Sequence, residues 1–156
     1  MTREATQDGL VLRVETGYQQ KLTDEPFTLT VSVTNTTKKD ITYGAGSGTP
    51  NMHQEIPVSI RGKGNVQFID MDTWGKIMTD DFKFATLKAG ETYTQAMRFL
   101  PGTPLGDYQQ ELSKQDIAWF PAGEYQGTAV FTWYTGTGWE PGETKELKVE
   151  FPVILV

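Results

Sequence analysis

Few side chains in this sequence could carry out catalysis, and their spacing does not form a catalytic motif. Nucleophilic catalysis needs a nucleophile, a general base within hydrogen-bond reach and groups that stabilise an oxyanion. The chain has no cysteine and one histidine, His53. Ser47 lies in "GAGSGTP", where Ala45 and Thr49 stand at the glycine positions of a nucleophile elbow, and the segment lacks the lysine of a phosphate-binding loop. We therefore expect no catalytic residues and a protein that is not an enzyme.

Acidic side chains could provide a second kind of chemistry. Calcium prefers carboxylate and carbonyl oxygens, and "IDMDTWGKIMTDDF" carries four aspartates. The spacing does not fit an EF-hand loop, and alternate residues of a strand share one face, commonly the solvent face. The chain has twenty acids, and nothing in the sequence singles out a carboxylate pair for glycoside hydrolysis. We predict no metal site and no cofactor; the calcium candidates are Asp70, Asp72, Asp80 and Asp81.

Composition and charge narrow the class of protein. A chain of 156 residues with 37% hydrophobic and 22% charged residues is expected to form a single globular domain, residues 1–156. The net charge of -6 disfavours nucleic acid, because binding phosphates requires an excess of lysine and arginine. No apolar run reaches the ~20 residues of a membrane-spanning helix. The many threonines and the polar start "MTREATQDGL" favour an extracytoplasmic or cell-envelope location over the cytoplasm.

Apolar and polar residues alternate with a period of two along most of the chain, which is typical of strands with one buried face. The clearest runs are "PFTLTVSVTN" and the last two, which "TGTGWEPGET" joins into a predicted hairpin with Trp133 in the core. One short helix is predicted in "PLGDYQQELSKQDI", with Asp107 as its cap. Seven to nine short strands separated by Gly, Pro and Asn predict a two-sheet antiparallel β-sandwich, with a closed barrel as the alternative.

The segment "FPAGEYQGTAVFTWY" indicates how one of these strands begins. Its proline and glycines predict a turn, and Tyr125 follows that turn at the start of a core strand. A tyrosine in this place resembles the tyrosine corner of immunoglobulin-like domains, in which the hydroxyl binds upstream backbone. No cysteine follows two residues later, so the domain is not of the antibody type. We interpret the segment as structural rather than catalytic.

Three turn motifs resemble the BsuPI-like intracellular proteinase inhibitor family. They occur in "FTLTVSVTNTTKKDIT", "LKAGETYTQAMRF" and "FPAGEYQGTAVF", with "PVSIRGKG" between the first two, and the similarity spans Pro26 to Tyr134. An insertion, "LPGTPLGDYQQELSKQDIAWF", departs from the family pattern. The resemblance implies an immunoglobulin-like fold, protein binding and proteinase inhibition. The residues that match the family motifs are Val33, Asn35, Thr37, Leu87, Gly90, Glu91, Pro121, Ala122, Gly123 and Tyr125.

Two long loops could present an apolar side chain to a protease. The loop Gly44–Glu55 contains Met52, and the loop Pro101–Ile117 contains Leu105 and Leu112. Trp139, in the glycine-rich loop near the C-terminus, is a further binding candidate, because exposed aromatic side chains mark protein-binding hot spots and sugar-stacking platforms. These four residues are the predicted binding residues, and a serine protease is the partner that the family resemblance implies.

Two other functions remain open on the sequence. The chain could be an exported cell-envelope or lipoprotein module that binds a protein or a wall glycan without affecting proteases. It could also be a glycan-active enzyme, which would require turnover that depends on one carboxylate. All three agree on one β-sandwich domain that binds a macromolecule.

Overall fold

The molecule is built from antiparallel strands. The computed structural model describes residues 1–22, 25–45, 55–62, 64, 66–72, 83–106, 116–136, 140 and 142–156. Twelve strands lie in these residues: β1 (Thr2–Gln7), β2 (Leu10–Glu15), β3 (Phe27–Asn35), β4 (Ile41–Ala45), β5 (Val58–Arg61), β6 (Ile69–Asp70), β7 (Lys83–Leu87), β8 (Thr92–Leu100), β9 (Gly102–Pro104), β10 (Ile117–Trp119), β11 (Gly123–Tyr134) and β12 (Thr144–Leu155).

The expected range of seven to nine strands is too low, although the β-sandwich class is confirmed. Three strands, β6, β9 and β10, are two or three residues long and too short to show an alternating pattern. Strand β1 is exposed or half-buried throughout, so its sequence has no apolar face. Strand β7 places the small Ala85 toward the core, which weakens its alternation. The helix predicted from Asp107 lies outside the described residues.

Two five-stranded sheets form the sandwich. Sheet A has the order β1-β2-β3-β8-β6. Sheet B has the order β12-β11-β4-β7, and β5 also pairs with β11. A separate two-stranded sheet, β9–β10, lies between the end of β8 and the start of β11. Since the strands form separate sheets rather than one closed sheet, the barrel alternative is wrong.

The core lies between the inner faces of the two sheets, where the period-two pattern places its apolar residues. Leu29, Val31 and Val33 of β3 are buried, and across the core so are Phe131 and Trp133 of β11. The predicted burial of Trp133 is therefore confirmed. The predicted final hairpin is confirmed as well, because β11 and β12 pair along their whole length.

The chain crosses between the sheets after β5. Gly62 donates its backbone N–H to the carbonyl of Val66, and Phe68 donates to the carbonyl of Ile60, so the chain turns back on itself after β5. The chain then leaves sheet B, and β6 pairs with the end of β8 in sheet A. This crossing brings Phe68 into the core beside the start of β11.

Candidate functional site

The strand registers separate two ends of the sandwich with different chemistry. At one, the polar end, lie the Asp8–Gly9 turn, residues 35–40 and 88–91, and residues 135–136 and 142–143. At the other, the apolar end, lie residues 16–22, Gly62, Val66, 101–106, 116–122 and Val156.

Exposed apolar side chains concentrate at the apolar end. Among the described residues seven large hydrophobic side chains are exposed, and six of them lie there. Scattered exposed hydrophobic residues are common on any protein, whereas their concentration in one region marks an interaction surface. The six are Tyr18 (73% exposed), Leu105 (68%), Val156 (50%), Leu22 (41%), Trp119 (38%) and Val66 (37%).

Backbone pairing with the C-terminal strand fixes one part of the apolar end. Gln20 donates its N–H to the carbonyl of Ile154 and accepts from Val156, at 2.7 and 2.9 Å. Leu22 donates to the carbonyl of Val156 at 2.8 Å. The segment therefore runs beside the end of β12, and the exposed side chains of Leu22 and Val156 are held by adjacent backbone.

The tyrosine corner holds a second part of the apolar end in place. The hydroxyl of Tyr125 donates to the carbonyl of Pro121 at 2.7 Å, four residues upstream, so the predicted tyrosine corner is present. Its ring packs on Phe68 and Phe120, with centroids 5.3 and 5.8 Å away, and burial raises the pKa of Tyr125. Gly62 lies so close to the ring of Phe120 that a Cβ there would come within 2.3 Å of it. The segment that begins at Phe120 is therefore a structural corner.

Two shallow grooves that contain arginine and glutamate side chains flank this corner. One, of about 360 Å³, lies between Arg61 and Glu124, and a larger one, of about 570 Å³, lies between Arg3 and Glu150. Both grooves include Tyr125. Protein interfaces commonly have an apolar centre and a polar rim, and the apolar end with these grooves has that composition.

The β9–β10 pair presents Leu105, one of the predicted binding residues. Leu105 follows β9, and its N–H donates to the carbonyl of Asp116 at 2.7 Å. Ile117 of β10 packs with Ile69 and Leu100 in a small second core, which attaches the pair to the end of sheet A. The backbone of Leu105 is therefore fixed while its side chain is exposed.

The other predicted binding residues lie outside the described residues. These are Met52, Leu112 and Trp139. His53, the one histidine of the sequence, also lies outside the described residues. Their roles stay predictions. The exposure of Tyr18 and Trp119 was not foreseen from the sequence, because it depends on how the loops pack at the apolar end.

Two calcium candidates serve a structural purpose. The carboxylate of Asp72 accepts hydrogen bonds from the guanidinium and the backbone N–H of Arg98, at 3.0 to 3.2 Å. The carboxylate of Asp70 accepts the N–H of Asp72 at 2.9 Å. Asp80 and Asp81 lie outside the described residues, and the described part of the chain contains no group of three or more side chains suited to a metal. Asp72 is therefore engaged in joining the segment after β6 to β8.

A polar cluster that the sequence did not indicate lies on the flank of the sandwich. The hydroxyl of Tyr93 donates to the carboxylate of Glu55, and the amide of Gln95 exchanges two hydrogen bonds with the backbone of Ile56, at 2.9 and 3.3 Å. Burial and the bond to Glu55 raise the pKa of Tyr93, so its phenol stays protonated at neutral pH and is unsuited to act as a base. The cluster fixes the segment before β5 to β8. No local motif signals it, because Glu55 and Tyr93 are 38 residues apart.

Comparison with known proteins supports the fold. No protein-family model and no curated protein matches the sequence. The fold is similar to a solved structure of native alpha-2-macroglobulin from Escherichia coli, spanning the residues from domain MG7 to the C-terminus. The TM-score is 0.52 and the sequence identity 11%, over 94% of this chain and 16% of that chain. At this identity the likeness establishes an immunoglobulin-like β-sandwich and no activity. The described residues also contain no helix long and apolar enough to cross a membrane.

Proposed function

We propose that this protein is a non-enzymatic immunoglobulin-like module that binds a protein through its apolar end, and that the partner is a serine protease. The concentration of six exposed large apolar side chains at that end is the observation that carries the proposal. The choice of a protease comes from the resemblance of the turn motifs to the BsuPI-like inhibitors.

The chemistry of the apolar end suits a protein partner. Tyrosine and tryptophan are enriched among hot-spot residues, and Tyr18 and Trp119 are both exposed there. Complete burial of a leucine such as Leu105 in a partner's pocket contributes roughly 1.5–3 kcal/mol. The adjoining grooves add charged side chains of both signs, with Arg61 and Glu124 in one and Arg3, Glu124 and Glu150 in the other.

Leu105 is the side chain best placed to enter a protease specificity pocket. An inhibitory segment must keep its backbone in place after binding, because ordering a mobile loop reduces affinity. The pairing of β9 with β10 and the bond from Leu105 to Asp116 supply that restraint from within the chain. An apolar side chain at this point favours proteases of the subtilisin or chymotrypsin type over trypsin, whose pocket carries an aspartate.

Titration of the purified chain against a subtilisin-type protease tests the proposal. We expect stoichiometric loss of substrate turnover, with the chain intact or cut once. Leu105→Ala and Trp119→Ala are each expected to weaken inhibition about tenfold or more, the equivalent of 1.4 kcal/mol. Phe84→Ala is the matched control, because Phe84 is a large apolar side chain exposed away from the apolar end. Normal substrate turnover together with rapid degradation of the chain would refute the inhibitor proposal.

A second candidate function is that of one module in a larger cell-envelope protein. The observation in its favour is that the similar solved chain matches this fold over 16% of its own length. In that case the apolar end would bind a neighbouring domain or another envelope protein. The same titration separates the two functions, because this candidate predicts unchanged protease turnover while the sandwich itself survives digestion.

A further inference from the structure

The backbone beside Leu105 is already hydrogen-bonded within the chain. Leu105 donates its N–H to the carbonyl of Asp116 at 2.7 Å, and the carbonyl of Pro101, just before β9, accepts the N–H of Phe120 at 2.9 Å. In an antiparallel pair, every second residue directs its backbone groups toward the partner strand. The odd-numbered residues of the range 101–105 therefore direct their backbone groups toward β10.

The outer edge of β9 offers few backbone groups to another protein. The two residues of β9 that direct their backbone away from β10 are Gly102 and Pro104. Proline has no N–H, so within β9 only Gly102 has an N–H on this edge. A strand of another protein would find one donor there, where an ordinary edge of the same length provides two.

Packing beneath the two strands opposes their separation. Ile117 of β10 is buried against Ile69 and Leu100. Gly102 of β9 lies so close to it that a Cβ at this glycine would come within 2.4 Å of the Ile117 side chain. Moving β10 away from β9 would therefore break backbone hydrogen bonds and also take Ile117 out of this apolar cluster.

A protease places demands on a substrate that this arrangement does not meet. It binds the chain to be cut in an extended conformation, as a strand added to its own backbone, and the reacting carbonyl must come within about 3–3.5 Å of the nucleophile. Cleavage after Leu105 would require its N–H and the backbone of Thr103, both of which are directed toward β10. The side chain of Leu105, which is 68% exposed, stays open to a pocket.

We propose that the protein inhibits its protease without serving as a substrate: the side chain of Leu105 is bound while the Leu105–Gly106 peptide bond stays intact. This inference rests on the proposed function and adds the mode of inhibition to it. Leu105 is the binding residue, whereas the buried Ile117 is a positioning residue that keeps β10 against β9. Inhibitor released from the protease should therefore be as active as fresh inhibitor.

Mass spectrometry of the inhibited mixture tests the proposal. The full chain is incubated with an equimolar amount of a subtilisin-type protease, and substrate turnover and chain mass are followed together. Hydrolysis of the Leu105–Gly106 bond consumes one water, so the two fragments together would carry the added mass of one water. We expect inhibition to persist and no fragment that ends at Leu105 to form.

Ala118→Pro is the decisive variant, because it removes the N–H that is directed toward Thr103. Proteolysis follows the population of the opened form, so this variant should be cut after Leu105 about tenfold or more faster than the parent and lose inhibition as it is cut. Ala118→Ser keeps the N–H and is the matched control, which should stay intact. Ile117→Ala loosens the strands through the apolar cluster instead and should also be cut faster. Urea midpoints establish that each variant is folded.

The outcomes separate this inference from the proposed function. Persistent inhibition by a parent chain that is cut after Leu105 would overturn the inference and leave the proposed function in place. Folded Ala118→Pro and Ile117→Ala variants that resist the protease as the parent does would also overturn it, because the pairing with β10 would then not protect the bond. Normal turnover in the presence of the parent would refute the proposed function, and this inference with it.

Discussion

The polar and apolar ends of the sandwich both close turns between strands, but they do so with different side chains. At the polar end, the fully buried amide of Asn35 makes hydrogen bonds to its own turn and to β7. At the apolar end, the rings of Phe68, Phe120 and Tyr125 pack together, yet six large apolar side chains stay exposed nearby. At the polar end, the side chain of Asn35 is fully engaged in hydrogen bonds within the fold. At the apolar end, exposed apolar side chains form a surface that a partner could bury.

The largest expected effect is at the polar end. The side chain of Asn35 donates to the carbonyls of Lys39 and Leu87, at 2.8 and 3.1 Å, and its oxygen accepts the N–H and hydroxyl of Thr37. Asn35→Ala removes all four bonds and leaves a buried carbonyl without its donor, so we expect the free energy of unfolding to fall by about 3 kcal/mol. Urea denaturation measures this change.

Thr34→Ala is the control for Asn35, because it removes one exposed hydrogen bond, to Thr92, on the same strand. It should cost about 0.5 kcal/mol. If both substitutions lower the free energy of unfolding equally, the burial of the Asn35 hydrogen bonds does not add to the stability of the polar end. The affinity of folded Asn35→Ala for the protease should equal that of the parent protein, because Asn35 stabilises the fold and lies at the end opposite the proposed binding surface.

A smaller effect is expected on the flank, where Tyr93 is half-buried against Glu55. Its pKa is raised above the ordinary 10.0, first by burial and then by the bond to Glu55. The unfolded chain therefore releases this proton at lower pH than the folded chain does. The stabilisation is fully present below about pH 10 and is lost as pH rises toward the folded pKa.

Tyr93→Phe removes the contribution of this phenol to the pH dependence of stability. Between about pH 9 and pH 11 the parent should lose stability more steeply than the variant, by less than the ~1.4 kcal/mol per pH unit that one whole proton would give, because the group is only partly buried. Urea midpoints at several pH values measure the slope. Tyr18→Phe, at an exposed position, is the matched control. Parallel slopes for the parent and Tyr93→Phe would show that this phenol is not coupled to folding.

The tyrosine corner tests whether the apolar end also contains a purely structural part. Tyr125→Phe keeps the ring on Phe68 and Phe120 and removes the bond from the hydroxyl to Pro121. We expect a loss of about 1 kcal/mol in stability, because this hydrogen bond is exposed. Protease inhibition should be unchanged. A large loss of inhibition by a still-folded variant would mean that the corner takes part in binding.

Local spacing made part of this molecule predictable. The alternation in β3, β11 and β12 follows from one face packing on a core, so it is visible without knowing the partner strand. The tyrosine corner was predictable because it is local, with Pro121 and Tyr125 only four residues apart. The roles of Asn35 and Gly90 as turn residues were also indicated by their motifs, and Gly90 has a φ of +80°.

The rest depends on residues that are distant in sequence. Strand β1 was missed because it is an edge strand without a buried face, and the Glu55–Tyr93 contact because no periodicity links its partners. The apolar end could not be predicted either. Leu105 was foreseen as exposed, but the grouping of Tyr18, Trp119 and Val156 at the same end arises only when β2, β8 and β12 finish there.

The smallest effect is expected for an exposed ion pair at the polar end. The ammonium of Lys145 contacts the carboxylate of Asp8 at 2.9 Å, but both side chains are well exposed, at 36% and 51%. Solvent screens such a pair, and ordering a long lysine side chain opposes the gain, so Lys145→Ala should change stability by less than about 0.5 kcal/mol. Urea denaturation at low and high salt gives the measurement, and the variant should be less sensitive to salt than the parent. A loss as large as that of Asn35→Ala would contradict the comparison, because charge at the surface would then stabilise the polar end as much as the buried amide does.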